Sequence, residues 1–110
     1  MNFTMQKTDI NLHPIAQKLV DRKIEKLKTL LVHYSEDMLD LKLNLEMIEP
    51  KNIYIANLVL AVPNQTFKIE KNSKDLTEAL GQAFDALIRE VKRFKEKLRK
   101  THTYKEHTKK

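Results

Sequence analysis

The sequence predicts an α+β fold: a four-stranded mixed sheet with two helices packed side by side on one face. Three observations lead there. Leu39, Leu41, Leu43, Leu45 and Met47 alternate strictly with Asp40, Lys42, Asn44 and Glu46, the period of two expected of a strand with one dry and one wet face. Residues 11–31 and 75–100 instead repeat their apolar positions with a helical period. The elements follow in the order β-α-β-β-β-α, with short turns between the last three strands. Short turns make an antiparallel meander, whereas a helical crossover makes the first two strands parallel if they are neighbours.

The first strand is NFTMQK, residues 2–7, in which Phe3 and Met5 alternate with polar neighbours. The helix that follows carries Pro14 in its first turn, where a missing N–H costs nothing. Asn11 or His13 is its cap; the residues leave both open. Leu19, Val20, Ile24, Leu27, Leu30 and Leu31 form its apolar arc, with Lys18, Arg22 and Lys26 opposite. The loop VHYSED leads to the leucine-alternating strand, and Glu49-Pro50-Lys51-Asn52 turns the chain. Residues 53–62 make the third strand, with Tyr54, Ala56, Leu58 and Leu60 on one face. Pro63-Asn64 marks a hairpin, and residues 65–71 make the fourth strand with Phe67 and Ile69 inward. Asp75 caps the last helix, and Glu78 three residues on has the spacing of a capping box. Its apolar side is Leu76, Leu80, Ala83, Phe84, Leu87, Val91, Phe94 and Leu98. Residues 1–100 thus form a single domain, and THTYKEHTKK, 101–110, is a basic tail expected to be mobile.

Composition bounds the function. The 110 residues carry a formal charge of +6 and no cysteine, which excludes disulfides and thiolate metal sites. One glycine, Gly81, rules out a glycine-rich phosphate loop. No signal-peptide pattern or membrane-length apolar run is present, so a soluble, cytoplasmic protein is expected. The four histidines, His13, His33, His102 and His107, lack the spacing of a helical metal pair. No serine sits in a nucleophile motif, and no carboxylates pair in a pocket-forming pattern. The reading is therefore a non-enzyme with no cofactor, no metal and no small-molecule substrate.

The positive charge points to a polyanionic partner. On the last helix, bases gather in the second half: Arg89, Lys92, Arg93, Lys97, Arg99 and Lys100 lie across from the apolar side, while Asp75, Glu78 and Asp85 occupy the first half. Acids at the start and bases at the end also suit the helix dipole, which accounts for part of the pattern. Lys23 falls inside the apolar arc of the first helix. Either its stem lies on the core with its ammonium in water, or it reaches into a groove beside a neighbouring helix and faces a ligand. The phenylalanines are all expected in the core, which argues against single-strand stacking. Two helices with basic edges suit structured RNA, read through phosphates and shape. A general double-stranded-RNA-binding domain, whose α-β-β-β-α order matches residues 12–100, is one alternative. A protein-interaction module using the open sheet face is another.

Three stretches resemble the ribosome hibernation promoting factor family, also called ribosome-associated inhibitor A, protein Y or sigma-54 modulation proteins. In Ile10 to Leu31, Lys23-Ile24-Glu25-Lys26-Leu27 is similar to the family's K-x-x-K-L string. The meander from Leu39 to Glu70 is the second stretch. In Asp75 to Lys100, the matches are Asp75, Ala79, Leu87, Arg93, Lys95 and Lys97, with Leu80 and Val91 as apolar equivalents. Thr77 replaces the usual tyrosine, Gly81 the usual acid, Ala86 a lysine and Glu90 a glutamine. The resemblance covers residues 1 to about 100 and implies a short-form, bacterial translation factor of resting, stressed or stationary-phase cells. It implies binding to the small subunit (30S, alone or within 70S) and its rRNA in the mRNA/tRNA channel, which blocks initiation. Carried over as rRNA contacts are Lys23, Lys26, Arg93, Lys95 and Lys97; charge geometry adds Arg89, Lys92 and Lys100. The dimerisation domain of long members is not expected, and the free protein is expected to be a monomer.

Overall fold

The computed structural model describes the backbone of residues 1–7 and 10–108 and the side chains of residues 1–7 and 10–98. Its elements are β1 (Asn2–Lys7), α1 (Pro14–Leu30), a 3-10 turn (Glu36–Met38), β2 (Asp40–Ile48), β3 (Ile53–Val62), β4 (Gln65–Ser73) and α2 (Leu76–Thr108). The four strands lie in the order β1-β2-β3-β4. β1 runs parallel to β2, and the two other pairs are antiparallel. The expected mixed sheet and its element order are what the chain forms.

Register explains the core. Phe3, Leu41, Leu60 and Phe67 line up across the sheet, and Met5, Leu43, Leu58 and Ile69 form the next inward row. Leu41, Leu43, Leu45, Leu58 and Leu60 are buried, while Asp40, Lys42 and Glu46 between them are exposed. A leucine fully buried contributes about 1.5–3 kcal/mol over an exposed one, which overrides leucine's helical propensity in β2. The third inward row ends at both edges in a lysine: Lys7, Leu45, Ala56, Lys71. Charged edge residues discourage pairing with another chain. At the two tight turns, Asn52 and Asn64 take φ of 52° and 67°, left-handed values that asparagine tolerates better than most residues.

The caps differ in part from expectation. His13 caps α1: its Nδ1 accepts a hydrogen bond from the Ala16 amide at 3.4 Å, with Pro14 in the first turn. Asp75 caps α2 by accepting from the Thr77 amide at 3.2 Å. The capping box does not close. The Asp75 amide donates to the Ser73 hydroxyl at 3.2 Å, and Glu78 instead accepts from the Gln82 side chain at 3.0 Å. Ser73 reaches that amide first because β4 runs straight into the cap.

α2 lies on β3 and β4 and beside α1, which leaves the β1–β2 half of the same face to α1. Ala79 and Ile88 join the expected apolar side of α2. Leu98 does not: it is 51% exposed. At ~1.5 Å per helical residue and ~3.4 Å per strand residue, α2 is longer than β4, so its far end overhangs the sheet. Phe94 closes the core there, edge-on to Phe67 with ring centroids 5.5 Å apart. The helical backbone passes the expected end at Lys100 and reaches Thr108.

Two contacts fix how the helices run. Leu19 on α1 sits beside Gly81 on α2, and Lys23 pairs with Asp85. Both pairs are 62 residues apart, so the helices advance together and are parallel. Gly81 is not needed for space, because a Cβ there would meet Leu19 Cδ2 at 3.9 Å, ordinary contact. Gly81→Ala is expected to stabilise the fold by about 0.5–1 kcal/mol through helix propensity. Urea unfolding measures this, and a loss of stability would mean that the helices pack more tightly than the 3.9 Å contact.

Candidate nucleic-acid interface

The helix register sorts the eight candidate bases. Lys23 leaves the apolar side of α1 and crosses the groove between the helices, where its Nζ lies 2.8 Å from Asp85 Oδ1. Its side chain is 21% exposed, against 57% for Asp85. The Lys23 side chain is thus largely covered, and its ammonium meets a carboxylate of the neighbouring helix. Lys26 lies one turn further along α1 and is exposed. The common register sets it alongside Ile88 and Arg89. Arg89 and Lys92 are exposed on the matching stretch of α2. Lys23 and Lys26 on α1 and Arg89 and Lys92 on α2 are thus set at neighbouring heights on two adjacent helices.

Arg93 and Lys97 are turned towards β4. With Gln65, Phe67, Glu90 and Phe94 they line a shallow hollow of about 160 Å³. Arg93 also donates to Glu90 at 3.4 Å, one helical turn back; an exposed pair of this kind contributes little. Lys95 follows Ile88 by seven residues, which places it on the α1 side of α2, and it is half-buried. Lys100 lies outside the described side chains, as do the tail of residues 101–110 and the histidines within it. The run REVKRFKEK turns 100° per residue, so neighbouring bases cannot share one face.

Two participants were not among the candidates. Lys71, on the inward face near the end of β4, shares a hollow with Gln82, Asp85, Ala86 and Arg89. Its signal was a lysine continuing the inward alternation of Phe67 and Ile69. Asp85 is the other: an acid at the centre of the basic groove. Its position opposite Lys23 was invisible until the helices were placed side by side.

A broad concavity of about 620 Å³ lies on the open sheet face over Thr4, Gln6, Lys42, Asn44, Asn57, Lys68 and Glu70. It holds no histidine, serine or cysteine among the described residues. Among the described residues no group of His, Asp and Glu is placed to hold a metal ion, and no helix is long and apolar enough to cross a membrane. Asp37 is held below the usual carboxylate range by the Ser35 hydroxyl, which donates to it on the exposed 3-10 turn, away from any basic groove.

A family model described as sigma 54 modulation protein / S30EA ribosomal protein matches residues 3–99. The fold is similar to the crystal structure of the Thermus thermophilus protein Y N-terminal domain, at 23% identity and a TM-score of 0.67, covering 86% of this chain and 99% of that one. It is also similar to a ribosomal subunit interface protein from Coxiella burnetii, at 14% identity and a TM-score of 0.67, covering 87% of this chain and 99% of that one. No curated protein matches the sequence. Because Asp85 is more than half exposed, the Lys23–Asp85 pair is expected to stabilise the fold by less than about 1 kcal/mol. A double-mutant cycle of Lys23→Met and Asp85→Asn measures it; coupling well above that value would make the pair a structural tie.

Proposed function

Because the chain belongs to the sigma 54 modulation protein / S30EA ribosomal protein family, we propose that it binds the small ribosomal subunit and inhibits translation. The observation that carries this reading is the Lys23–Asp85 contact between two parallel helices, whose common register sets exposed Lys26 level with Arg89 and leaves Lys92 one turn on. Four cations on two adjacent helices, supported by Lys71 beside Arg89 and by Arg93 and Lys97 on the flank, suit a strand of rRNA phosphates. The protein then works by occupying space on the ribosome.

In this reading, bound protein fills the channel that mRNA and tRNA anticodon arms use, and initiation is excluded while the particle rests. The groove supplies the affinity through phosphate contacts, and the shape of the channel supplies selectivity. Lys95 and Lys100 extend the same helix along the path. Partners are the 30S subunit, free or within 70S, and its rRNA. The work is done in the cytoplasm, with no cofactor.

A general double-stranded-RNA-binding domain lacks the added parallel strand. Here β1 is paired with β2 over six residues, and that strand favours the ribosomal reading. Co-sedimentation with 30S and 70S particles tests it. Stoichiometric binding that resists a free RNA duplex and stops poly(U)-directed synthesis is expected. Binding lost to the duplex would instead indicate a general RNA binder, and association insensitive to salt a protein-interaction module. Lys26→Glu with Arg89→Glu is expected to weaken 30S binding at least tenfold and to lower the salt dependence by about two counterions. Full affinity in a folded double variant would remove the groove from the interface.

A further inference from the structure

A surface built to read phosphates has an acid at its centre. Among the described residues, Lys23–Asp85 is the one ion pair that joins two elements; Lys28–Glu25 and Arg93–Glu90 are each one turn apart on a single helix. Asp85 stands where the bases are densest. Arg89 follows it by one turn, Lys71 shares its hollow, and Lys23 touches it at 2.8 Å. Glu78, two turns earlier, is engaged by Gln82.

We propose that Asp85 is an exchangeable internal counterion: its carboxylate holds Lys23 in the binding pose and yields that ammonium to a phosphate when nucleic acid docks. The proposal rests on the groove being the binding surface argued above. Three observations support it. A carboxylate oxygen 2.8 Å from an ammonium occupies the place a phosphate oxygen would take. The exposures are unequal: Lys23, at 21%, is largely covered, whereas Asp85, at 57%, is the partner more open to solvent. And the pair is too exposed to be explained by stability alone.

The consequence is selectivity. An acid at the centre repels any polyanion that merely lies along the groove, and it masks one cation. A ligand overcomes this only by presenting a phosphate at Lys23 while its flanks engage Lys26, Arg89 and Lys92. Built-in repulsion of the wrong partner is a general route to specificity. Asp85 thus lowers affinity for generic RNA and leaves a shaped site on the ribosome favoured.

The test compares wild type, Asp85→Asn and Lys23→Met/Asp85→Asn with a labelled RNA duplex, by anisotropy between about 0.05 and 0.2 M salt. Asp85→Asn is expected to bind about fivefold more tightly at low salt, the size of one close charge contact in water. Its salt dependence should steepen by about one counterion, and both gains should vanish in the double variant. Binding by Asp85→Asn alone also supports the exchange. Unchanged or weaker binding overturns it, as does no binding by any variant or a gain that survives Lys23→Met. Should Asp85→Asn fail to fold, the wild-type Lys23 ammonium is followed by NMR during duplex titration. A shift of its signal on binding supports exchange, and an unmoved signal overturns it. Sedimentation with 30S is scored separately: a duplex gain without 30S binding sinks the ribosomal reading and leaves the exchange standing, and the converse result does the reverse.

Discussion

Leu41, Leu43, Leu45, Leu58 and Leu60 point to the same side of the sheet, and that side has to be kept from water. The two helices are the elements able to cover it, and both must lie on it. Once they do, their inner sides are committed to the core and their outer sides face solvent. The opposite sheet face stays open, with Lys42, Asn44, Asn57 and Lys68 on it. Neither helix is placed for the sake of charge. The charged groove is what remains on the outside after a one-sided apolar sheet has been covered.

Covering the sheet also decides direction. β1, β2 and β4 run the same way, and each helix returns against them, so α1 and α2 are parallel. Their C-terminal halves therefore lie at the same end. Helix dipoles favour cations in the last turn of a helix, which gives Lys28 on α1 a local electrostatic reason for its place. The bases from Arg89 to Lys97, by contrast, lie well before the end of α2 at Thr108. The dipole therefore accounts for little of the accumulation. It does not account for Lys23, which lies earlier in its helix, points into the groove and meets an acid.

Much of the fold was legible because periodicity reports burial. The leucine alternation placed β2, the asparagine turns placed the hairpins, and the apolar arcs placed both helices. The misses have local causes. Leu98 reads as core by angle but lies beyond the sheet. Glu78 has capping-box spacing but loses the Asp75 amide to Ser73. The candidate site was legible residue by residue and not as a surface. Lys26, Arg89 and Lys92 stand at neighbouring heights, Arg93 and Lys97 turn to the β4 side, and Lys71 enters from a strand that had been read only for its core.

By itself, then, the sequence determined the elements, their order, the parallel first pair of strands, and the basic character of two helix faces. These follow from short-range rules: period, turn chemistry and charge along one helix. Only the tertiary structure decided which bases share a groove and that Asp85 stands against Lys23 across 62 residues of chain. Contacts between separate elements depend on the rotation and the advance of one helix against another. Packing on a common sheet sets both, and no local pattern in either helix contains them.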